Sequence, residues 1–337
     1  MSKKTGKQTV IFSDNVYIAG HANIAGKKEG QGPLSKYYNL ILSDAEWGEK
    51  SWEKTESKMQ KYAAEHAVSD SGLSFSDLDY VFAGDLLNQC IAAGFAFRDS
   101  GVPFFGIYGA CSTMAESLSL ASMMIDGDYA KNALAVTSSH FCTAERQYRN
   151  PLEYGGQRTP TAQWTVTGSG AIVVSKEIKS DITVRAVTTG KIVDLGIKDA
   201  NNMGAAMVPA AVSTIKAHFQ DTGLSTDFYD LIITGDLGTL GKELILDMLG
   251  DEGIDIRKNY DDCGCMIFDI EKQDVHAGGS GCGCGAVTLT GYIMDRLHKK
   301  ELENVLFVAT GALLSPTSTL QGESIPCIAH AVAISAV

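Results

Sequence analysis

The sequence has little charge, a deficit of positive charge and no long apolar run. Only 20% of its 337 residues are charged, and 28 Lys and Arg against 40 Asp and Glu give a formal net charge of −12. This balance argues against a general nucleic-acid surface, which requires clustered cations. No stretch is apolar over the roughly 20 residues that span a bilayer, and no signal-peptide core is found. We therefore expect a cytoplasmic protein that reaches a membrane only peripherally.

The composition indicates a folded chain with reduced thiols. With 45% hydrophobic residues the chain can bury a large core, usually as two domains. Its eight cysteines, several of them beside Gly or Ala, are more typical of reduced thiols than of a disulfide framework. The pairs Cys263/Cys265 and Cys282/Cys284 could ligate zinc, but structural zinc sites prefer about two to four residues between paired cysteines. We expect no metal ligands and no cofactor.

The chain repeats itself. Residues 71–86 (SGLSFSDLDYVFAGDL) match residues 222–237 (TGLSTDFYDLIITGDL), with identical pairs that include Asp79/Asp230 and Asp85/Asp236. A second match pairs Gly109 with Gly281 and aligns 132–139 with 304–311. Two copies are too few for a solenoid. We predict two halves related by a pseudo-twofold axis, residues 1–180 and 181–337, with any pocket where the halves meet.

Hydrophobic patterning predicts alternating strands and helices in an α/β fold. Continuous apolar strands between helices indicate sheets that are covered on both faces. The predicted helices span 54–67, 112–125, 205–219, 242–249 and 287–297, and the predicted strands span 80–83, 103–108, 133–136, 171–174, 231–234, 305–309 and 328–334.

Cys111 is the strongest candidate for chemistry. It lies in residues 106–113 (GIYGACST), where a predicted strand ends and a helix begins. The positive end of a helix dipole lowers the pKa of a thiol, so Cys111 could be a thiolate nucleophile, or a donor to a bound anion if it stays protonated. A small apolar residue that simply fits a crowded turn is the alternative.

These features resemble the thiolase and β-ketoacyl synthase superfamily: a repeated βα chain, a cysteine opening the third helix of the first half, a Gly-rich turn in the second half, and Gly311 after the last inner strand. The resemblance implies a layered α-β-α-β-α architecture. Residues 138–151 (SSHFCTAERQYRNP), 278–292 (GGSGCGCGAVTLTGY) and 322–332 (GESIPCIAHAV) are similar, more narrowly, to the stage V sporulation protein AD family of endospore-forming bacteria.

The narrower resemblance implies a specific ligand and location. It implies binding of dipicolinic acid (pyridine-2,6-dicarboxylate), alone or with calcium, and its uptake into the developing spore. It also implies a homodimer, membrane proteins of the same uptake system as partners, and peripheral association with the spore inner membrane.

The chain departs from the enzymes of the superfamily. Condensing enzymes carry a His after the strand at 231–234 and a Gly-Asn turn, where this chain has Gly235-Asp236 and Gly278-Gly279-Ser280. Degradative thiolases carry a His in the Gly-rich turn and a second Cys after the last inner strand, where this chain has Gly281 or Cys282 and Gly311. Cys111 therefore lacks the expected base; Asp236 is the remaining candidate for that role, although a carboxylate near a thiolate would raise the thiol pKa rather than activate it. We expect a thiolase fold that has lost its chemistry.

A flat aromatic dianion needs bidentate cations, hydroxyl or backbone donors, and a slot for its ring. Residues 140–158 combine arginines with aromatic side chains and show no helical or strand periodicity beyond their first residues, so we predict a binding loop there. A solvated loop in which arginines pair with Glu145 and Glu153 is the alternative. His276, just before the Gly-rich turn, is either a second binding residue or a structural histidine.

The predicted ligand-binding residues are Cys111, His140, Arg146, Arg149, Arg158, Asp236 and His276. Binding of the dicarboxylate without turnover is the leading hypothesis. The alternatives are an acyltransferase or condensing enzyme with Cys111 as nucleophile, and a scaffold for spore membrane proteins whose pocket is vestigial.

Overall fold

The computed structural model describes residues 3–148 and 158–337, without the side chains of Asp14 and Asn15. Within these residues thirteen strands are found: β1 (Lys4–Thr5), β2 (Thr9–Ala25), β3 (Tyr80–Gly84), β4 (Phe104–Gly106), β5 (Asn132–Ser139), β6 (Trp164–Thr165), β7 (Gly168–Ser175), β8 (Ile182–Thr188), β9 (Leu231–Thr234), β10 (Tyr260–Asp262), β11 (Gly279–Ser280), β12 (Asn304–Ala312) and β13 (Cys327–Ala336).

The same part of the chain contains ten α-helices: α1 (Trp52–Asp70), α2 (Ile91–Phe97), α3 (Thr113–Asp126), α4 (Phe141–Tyr148), α5 (Met203–Thr222), α6 (Gly238–Asp251), α7 (Cys263–Met266), α8 (Cys282–Thr288), α9 (Met294–His298) and α10 (Pro316–Leu320). A π-helical turn at Leu289–Ile293 joins α8 to α9. No helix among the described residues has the length and apolarity that crossing a bilayer requires.

The strand order confirms the pseudo-twofold repeat. The first half of the main sheet runs β4-β3-β5-β7-β2, and the second half runs β10-β9-β12-β13-β8. In chain order both halves place their strands 3-2-4-5-1, and each half has the same alternation of parallel and antiparallel pairs. The two first strands, β2 and β8, pair antiparallel and join the halves. The boundary at residue 180, between β7 and β8, stays a prediction.

Three apolar cores establish the layered architecture. The middle core packs α3 and α8 between the two halves of the sheet and includes Met114, Val287 and Phe307. A second core lies under α1 and α2 on the outer face of the first half, and a third lies under α5 and α6 on the outer face of the second half. Helices therefore cover both faces of each half and also fill the space between them, which is the predicted α-β-α-β-α order.

Repeat-related aspartates make the same hydrogen bonds in both halves. Asp79 Oδ2 accepts from the backbone N–H groups of Lys131 and Asn132 at 2.6 and 3.2 Å. Asp230 Oδ2 accepts from Glu303 and Asn304 at 2.7 and 2.9 Å. Each carboxylate thus satisfies backbone donors where the neighbouring inner strand begins, and the sequence match reflects this shared local structure.

The prediction of a loop over 140–158 is wrong for its first part. Residues 141–148 form α4, which directly follows β5. Thr143, Ala144 and Glu145 are buried on one side of α4, while the side chain of Arg146 is about half exposed. A pattern of about two turns is too short to stand out in the sequence, because helix formation there depends on packing against the scaffold. Residues 149–157 lie outside the described part of the chain.

Candidate functional site

A cavity of about 400 Å³ lies between the two halves, beside Cys111. Its walls are mostly small and apolar, with hydroxyl and amide groups between them. The described lining residues are Leu86, Tyr108, Ala110, Cys111, Ala144, Glu145, Gln147, Tyr148, Thr161, Ala162, Gln163, Thr165, Ala200, Asn201, Met203, Ser280, Ala312, Leu314, Pro316, Thr319 and Leu320. The volume falls within the range of about 300–1,000 Å³ that is typical of small-molecule sites.

The turn that carries Cys111 is tightly constrained. A short 3-10 turn at Ala110–Ser112 precedes α3, and Ala110 has φ of +50°, in the left-handed region that residues with a Cβ rarely adopt. The end of β12 approaches this turn closely, since a Cβ on Gly311 would lie 2.2 Å from the carbonyl oxygen of Gly109. Gly311 is therefore required by packing against the cysteine turn.

The Cys111 thiol is held in its protonated form. Burial raises its pKa well above the ordinary value, and the nearby Asp236 carboxylate and Cys282 thiol raise it further. The thiol donates a hydrogen bond to Asp236. Of the two alternatives for Cys111, the protonated thiol fits this environment better than the thiolate, because burial and a neighbouring carboxylate both raise the pKa. Its proton goes to Asp236, and a role of Cys111 in binding a ligand stays a prediction.

Asp236 is the most densely hydrogen-bonded group beside the cavity. Oδ2 accepts from the Gly281 backbone N–H at 2.9 Å and from Ser280 Oγ at 3.1 Å, and Oδ1 accepts from Thr310 Oγ1 at 2.7 Å. Burial raises the pKa of Asp236, while these donors oppose the rise. The carboxylate thereby ties the Gly-rich turn, the last inner strand and the Cys111 turn together.

Two tyrosines and a glutamine form part of the cavity walls, and the sequence did not predict that they act together. Tyr108 and Tyr148 join their hydroxyls at 3.1 Å, and the Tyr148 hydroxyl also donates to the carbonyl of Leu86 at 3.0 Å. Opposite them, Gln163 Nε2 donates to the carbonyls of Asp236 and Gly279 at 2.9 and 2.7 Å. Gln163 follows no recognisable motif, so nothing in the sequence marked it.

Of the six predicted binding residues that the structure describes, Cys111 is the one in the cavity lining. His140 and Arg146 make their contacts elsewhere in the first half of the chain. His140 Nδ1 accepts from the Cys142 backbone N–H, and its Nε2 donates to the Ala45 carbonyl at 2.9 Å. Burial lowers the pKa of His140, so the ring is neutral. Arg146 pairs with Glu53 and lies over the Trp52 ring, 5.4 Å from its centroid. Both side chains are engaged in contacts within the fold, and their roles as ligand contacts stay predictions.

Arg158 and His276 meet at one carboxylate. Arg158 Nη2 lies 2.8 Å from Asp274 Oδ2, and the guanidinium lies 4.9 Å from the centroid of the Trp164 ring. His276 Nε2 lies 3.2 Å from Asp274 Oδ1, and Nδ1 donates to the Thr159 carbonyl at 2.6 Å. The structure therefore groups these two residues with each other, and groups Asp236 with Cys111. Arg149 lies outside the described residues.

Among the described residues, few charged side chains line this cavity. They include one carboxylate, Glu145, and no lysine, arginine or histidine. A nucleophilic thiol needs a base within hydrogen-bond reach, and the described side chain that bonds Cys111 is Asp236, whose charge stabilises the protonated thiol. Within the described ranges no group of three or more His, Cys, Asp or Glu side chains is arranged to hold a metal ion.

Known proteins resemble this chain in sequence and in structure. It is 46% identical over 330 residues to stage V sporulation protein AD of Bacillus subtilis (strain 168), a match that covers 98% of this chain and 97% of that protein. Human mitochondrial 3-ketoacyl-CoA thiolase in complex with CoA is similar in structure, with a TM-score of 0.57, 14% identity, and coverage of 97% of this chain and 99% of that one.

The 3-oxoacyl-(acyl-carrier-protein) synthase III of Aquifex aeolicus is also similar, with a TM-score of 0.57, 14% identity, and coverage of 95% of this chain and 99% of that one. These structures share the fold alone. Residues 6–335 match the family described as Stage V sporulation protein AD (SpoVAD). The chain is therefore a member of the stage V sporulation protein AD family, with a thiolase-like fold.

Proposed function

We propose that this sporulation protein binds dipicolinic acid in the cavity beside Cys111 and supports its uptake into the developing spore, without catalysing a reaction. The observation that carries the proposal is the protonated Cys111, hydrogen-bonded to Asp236 in a cavity of about 400 Å³. A thiol kept neutral by a carboxylate is a poor nucleophile, and its single proton is already donated to Asp236, so Cys111 offers a ligand van der Waals contact rather than a hydrogen bond. The cavity is retained although the bases that serve acyl transfer are missing.

The charge of the described lining favours a neutral ligand. Free dipicolinic acid is a dianion at neutral pH, and burying two carboxylates against the described lining, which supplies no lysine, arginine or histidine, would be costly. The 1:1 calcium complex is neutral, because the two positive charges of the ion balance the two carboxylates. The ion is bound by both carboxylates and by the ring nitrogen. Amide and hydroxyl groups on the walls, such as those of Asn201 and Thr319, can then donate to the outer carboxylate oxygens. We therefore propose that the calcium complex is the bound form.

Calorimetric titration tests this function. Untagged protein is titrated with dipicolinic acid in excess calcium and, separately, in EDTA, with pyridine-3,5-dicarboxylate as the matched isomer. We expect saturable binding of the calcium complex, weaker binding in EDTA and none of the isomer. Absence of saturation in calcium would refute the function. Tighter binding in EDTA would refute the neutral-ligand proposal and point instead to cations such as Arg149.

A cavity-filling variant tests the location. Ala200 lines the cavity and is only partly buried, so Ala200→Trp fills space without loading the core. Ala217 is similarly exposed on α5 and does not belong to the lining, so Ala217→Trp is the matched control. Ala200→Trp should weaken binding at least about tenfold, or about 1.4 kcal/mol, while the control retains it. Equal affinity of both variants would place the ligand elsewhere.

We also propose that the chain forms a homodimer through the free edge of its first half. Strand β4 is the last strand at that edge, and Phe104 and Phe105 on it are 38% and 48% exposed. An open edge with exposed aromatic side chains favours pairing with a second strand.

The dimer proposal is checked by sedimentation velocity. Wild type should sediment as a dimer, and Phe105→Lys should sediment as a monomer because a charge would be buried in the interface. Tyr129→Lys is the control, since Tyr129 is 73% exposed and lies outside β4. A monomeric wild type, or a dimer that survives Phe105→Lys, contradicts this interface.

Peripheral attachment to the spore inner membrane through membrane proteins of the same uptake system completes the proposal. The exposed apolar side chains Ile192, Leu195 and Leu320 supply a surface for such contacts, and Leu320 lies at the cavity lining. Fractionation of lysed spores should recover the chain with inner membranes when the membrane partners are present and in the supernatant when they are deleted. Recovery with membranes in both strains would contradict attachment through those partners.

A further inference from the structure

Two histidines from opposite halves meet on the surface, and neither lines the cavity beside Cys111. His21 lies on β2 and His298 ends α9. Their Nε2 atoms are 3.3 Å apart, and their rings are 5.4 Å apart between centroids. The side chain of His298 is 42% exposed, so solvent ions can reach the pair.

Each ring is fixed through its other nitrogen. His21 Nδ1 lies 2.8 Å from the Thr290 carbonyl, which can only accept, so Nδ1 carries the proton. His298 Nδ1 lies 3.0 Å from Asp181, and a carboxylate likewise holds the proton on Nδ1. In the neutral state of both rings, each Nε2 therefore carries a free lone pair, and the two atoms lie 3.3 Å apart.

This arrangement is the one that imidazole ligands of a transition metal adopt. Metal-bound histidines direct their second nitrogen to a carbonyl or carboxylate, which fixes the tautomer and raises ligand basicity. Two nitrogens at about 2.0–2.1 Å from a tetrahedral Zn²⁺ are separated by about 3.3–3.4 Å. The observed separation of 3.3 Å matches this value without rearrangement of either ring.

We infer that His21 and His298 form a binding site for a divalent transition-metal ion of the zinc class, which links the first half of the fold to the second. Imidazole nitrogen suits Zn²⁺, Cu²⁺ and Ni²⁺ and suits Mg²⁺ and Ca²⁺ poorly. Since the described residues supply no third His, Cys, Asp or Glu ligand, water fills the remaining positions. The ion binds reversibly for the same reason.

Calorimetric titration of untagged protein with ZnCl2 at pH 7.5 tests the site, using His21→Gln, His298→Gln and, as control, His66→Gln. His66 is exposed and stacks on Tyr62 away from the pair. We expect one saturable site per chain in wild type and in His66→Gln, and at least about tenfold weaker binding in the other two variants.

Asp181→Asn separates ligation from folding, because this exposed residue contacts His298 without touching the metal. It should weaken Zn²⁺ binding by about 10–100-fold while the metal-free melting temperature stays unchanged. Absence of saturable binding by wild type, or unchanged binding by both His21→Gln and His298→Gln, would overturn the inference. In that case the pair is only a proton-sharing contact.

Discussion

Cys111 combines a tightly packed turn with surroundings that oppose formation of the thiolate. Its turn is built as tightly as a nucleophile turn, with the strained Ala110 on one side and Gly311 packed against it. Yet Asp236 accepts the thiol proton in a hydrogen bond and opposes its departure. For Cys111 to attack a thioester, a group that removes the thiol proton would have to stand where Asp236 now stabilises it.

Alkylation of Cys111 tests this electrostatic effect. With the pKa of the thiol raised by burial and by Asp236, iodoacetamide should modify Cys111 slowly at pH 7.5. Asp236→Asn removes the charge, so we expect Cys111 to react at least about tenfold faster, as about one pKa unit of relief would give. Peptide mass spectrometry follows the rate. Rapid labelling of wild type, or no acceleration in the variant, would show that Asp236 does not suppress the thiolate.

At the scale of elements, α1 carries an unusual buried acid. Glu56 accepts from Ser138 Oγ at 3.1 Å and from Thr143 Oγ1 at 2.6 Å, and thus connects α1 to β5 and α4. Burial raises its pKa to about 8, and the neighbouring Asp85 carboxyl adds to the rise. The pKa of Asp85 is itself raised to about 6 by burial. Helix α4, which forms part of the cavity wall, is therefore held to α1 by the protonated carboxyl of Glu56.

This acid predicts a pH dependence of stability. The folded chain keeps the Glu56 proton up to about pH 8, whereas the unfolded chain releases it above about pH 4, so stability present at low pH is lost as pH rises toward 8. Between pH 5 and 8.5 the free energy of unfolding should fall less in Glu56→Gln than in wild type, and the two decreases should differ by at least about 1 kcal/mol.

Urea unfolding at both pH values measures the difference. Glu65→Gln is the control, because Glu65 lies on the same helix and is half exposed in a pair with Lys61. Equal pH slopes for Glu56→Gln and wild type would mean that Glu56 is ionised in the folded state.

Elements with strong local patterns were predictable, and those set by tertiary packing were not. Strand β9 appears at its predicted bounds, 231–234, because a short apolar run is flanked by an aspartate and a glycine. Strand β2 was missed, since its apolar pattern breaks where the register shifts between Ile11 and Val16. Helix α4 was missed because its helicity depends on buried contacts such as that of Thr143 with Glu56.

The site was predictable only in part for a related reason. Cys111 follows β4 and Asp236 follows β9 in a repeated fold, so their meeting could be expected from the repeat. The contacts of His140, Arg146 and Arg158 depend on partners distant in sequence, such as Ala45, Glu53 and Asp274, which composition does not reveal.

Over the whole molecule, the equivalent residues Asp85 and Asp236 differ in the groups to which they bond. Asp85 Oδ1 and Oδ2 accept from the backbone N–H groups of Leu87 and Ala93 within its own half. In the second half Asp262 bonds the backbone N–H groups of Leu237 and Gly238, where α6 begins. Because Asp262 accepts from these backbone donors, Asp236, the repeat partner of Asp85, can bond the Cys111 turn instead. The cavity is thus asymmetric although the fold that encloses it is symmetric.

The central claim is that the cavity beside Cys111 binds the calcium complex of dipicolinic acid. Its most direct test is the alkylation rate of Cys111 at pH 9 with and without a saturating concentration of that complex, with Cys142 in the same sample as the internal control. Cys142 is partly exposed and does not line the cavity. We predict that the complex slows modification of Cys111 and leaves that of Cys142 unchanged. An unchanged Cys111 rate would contradict the account.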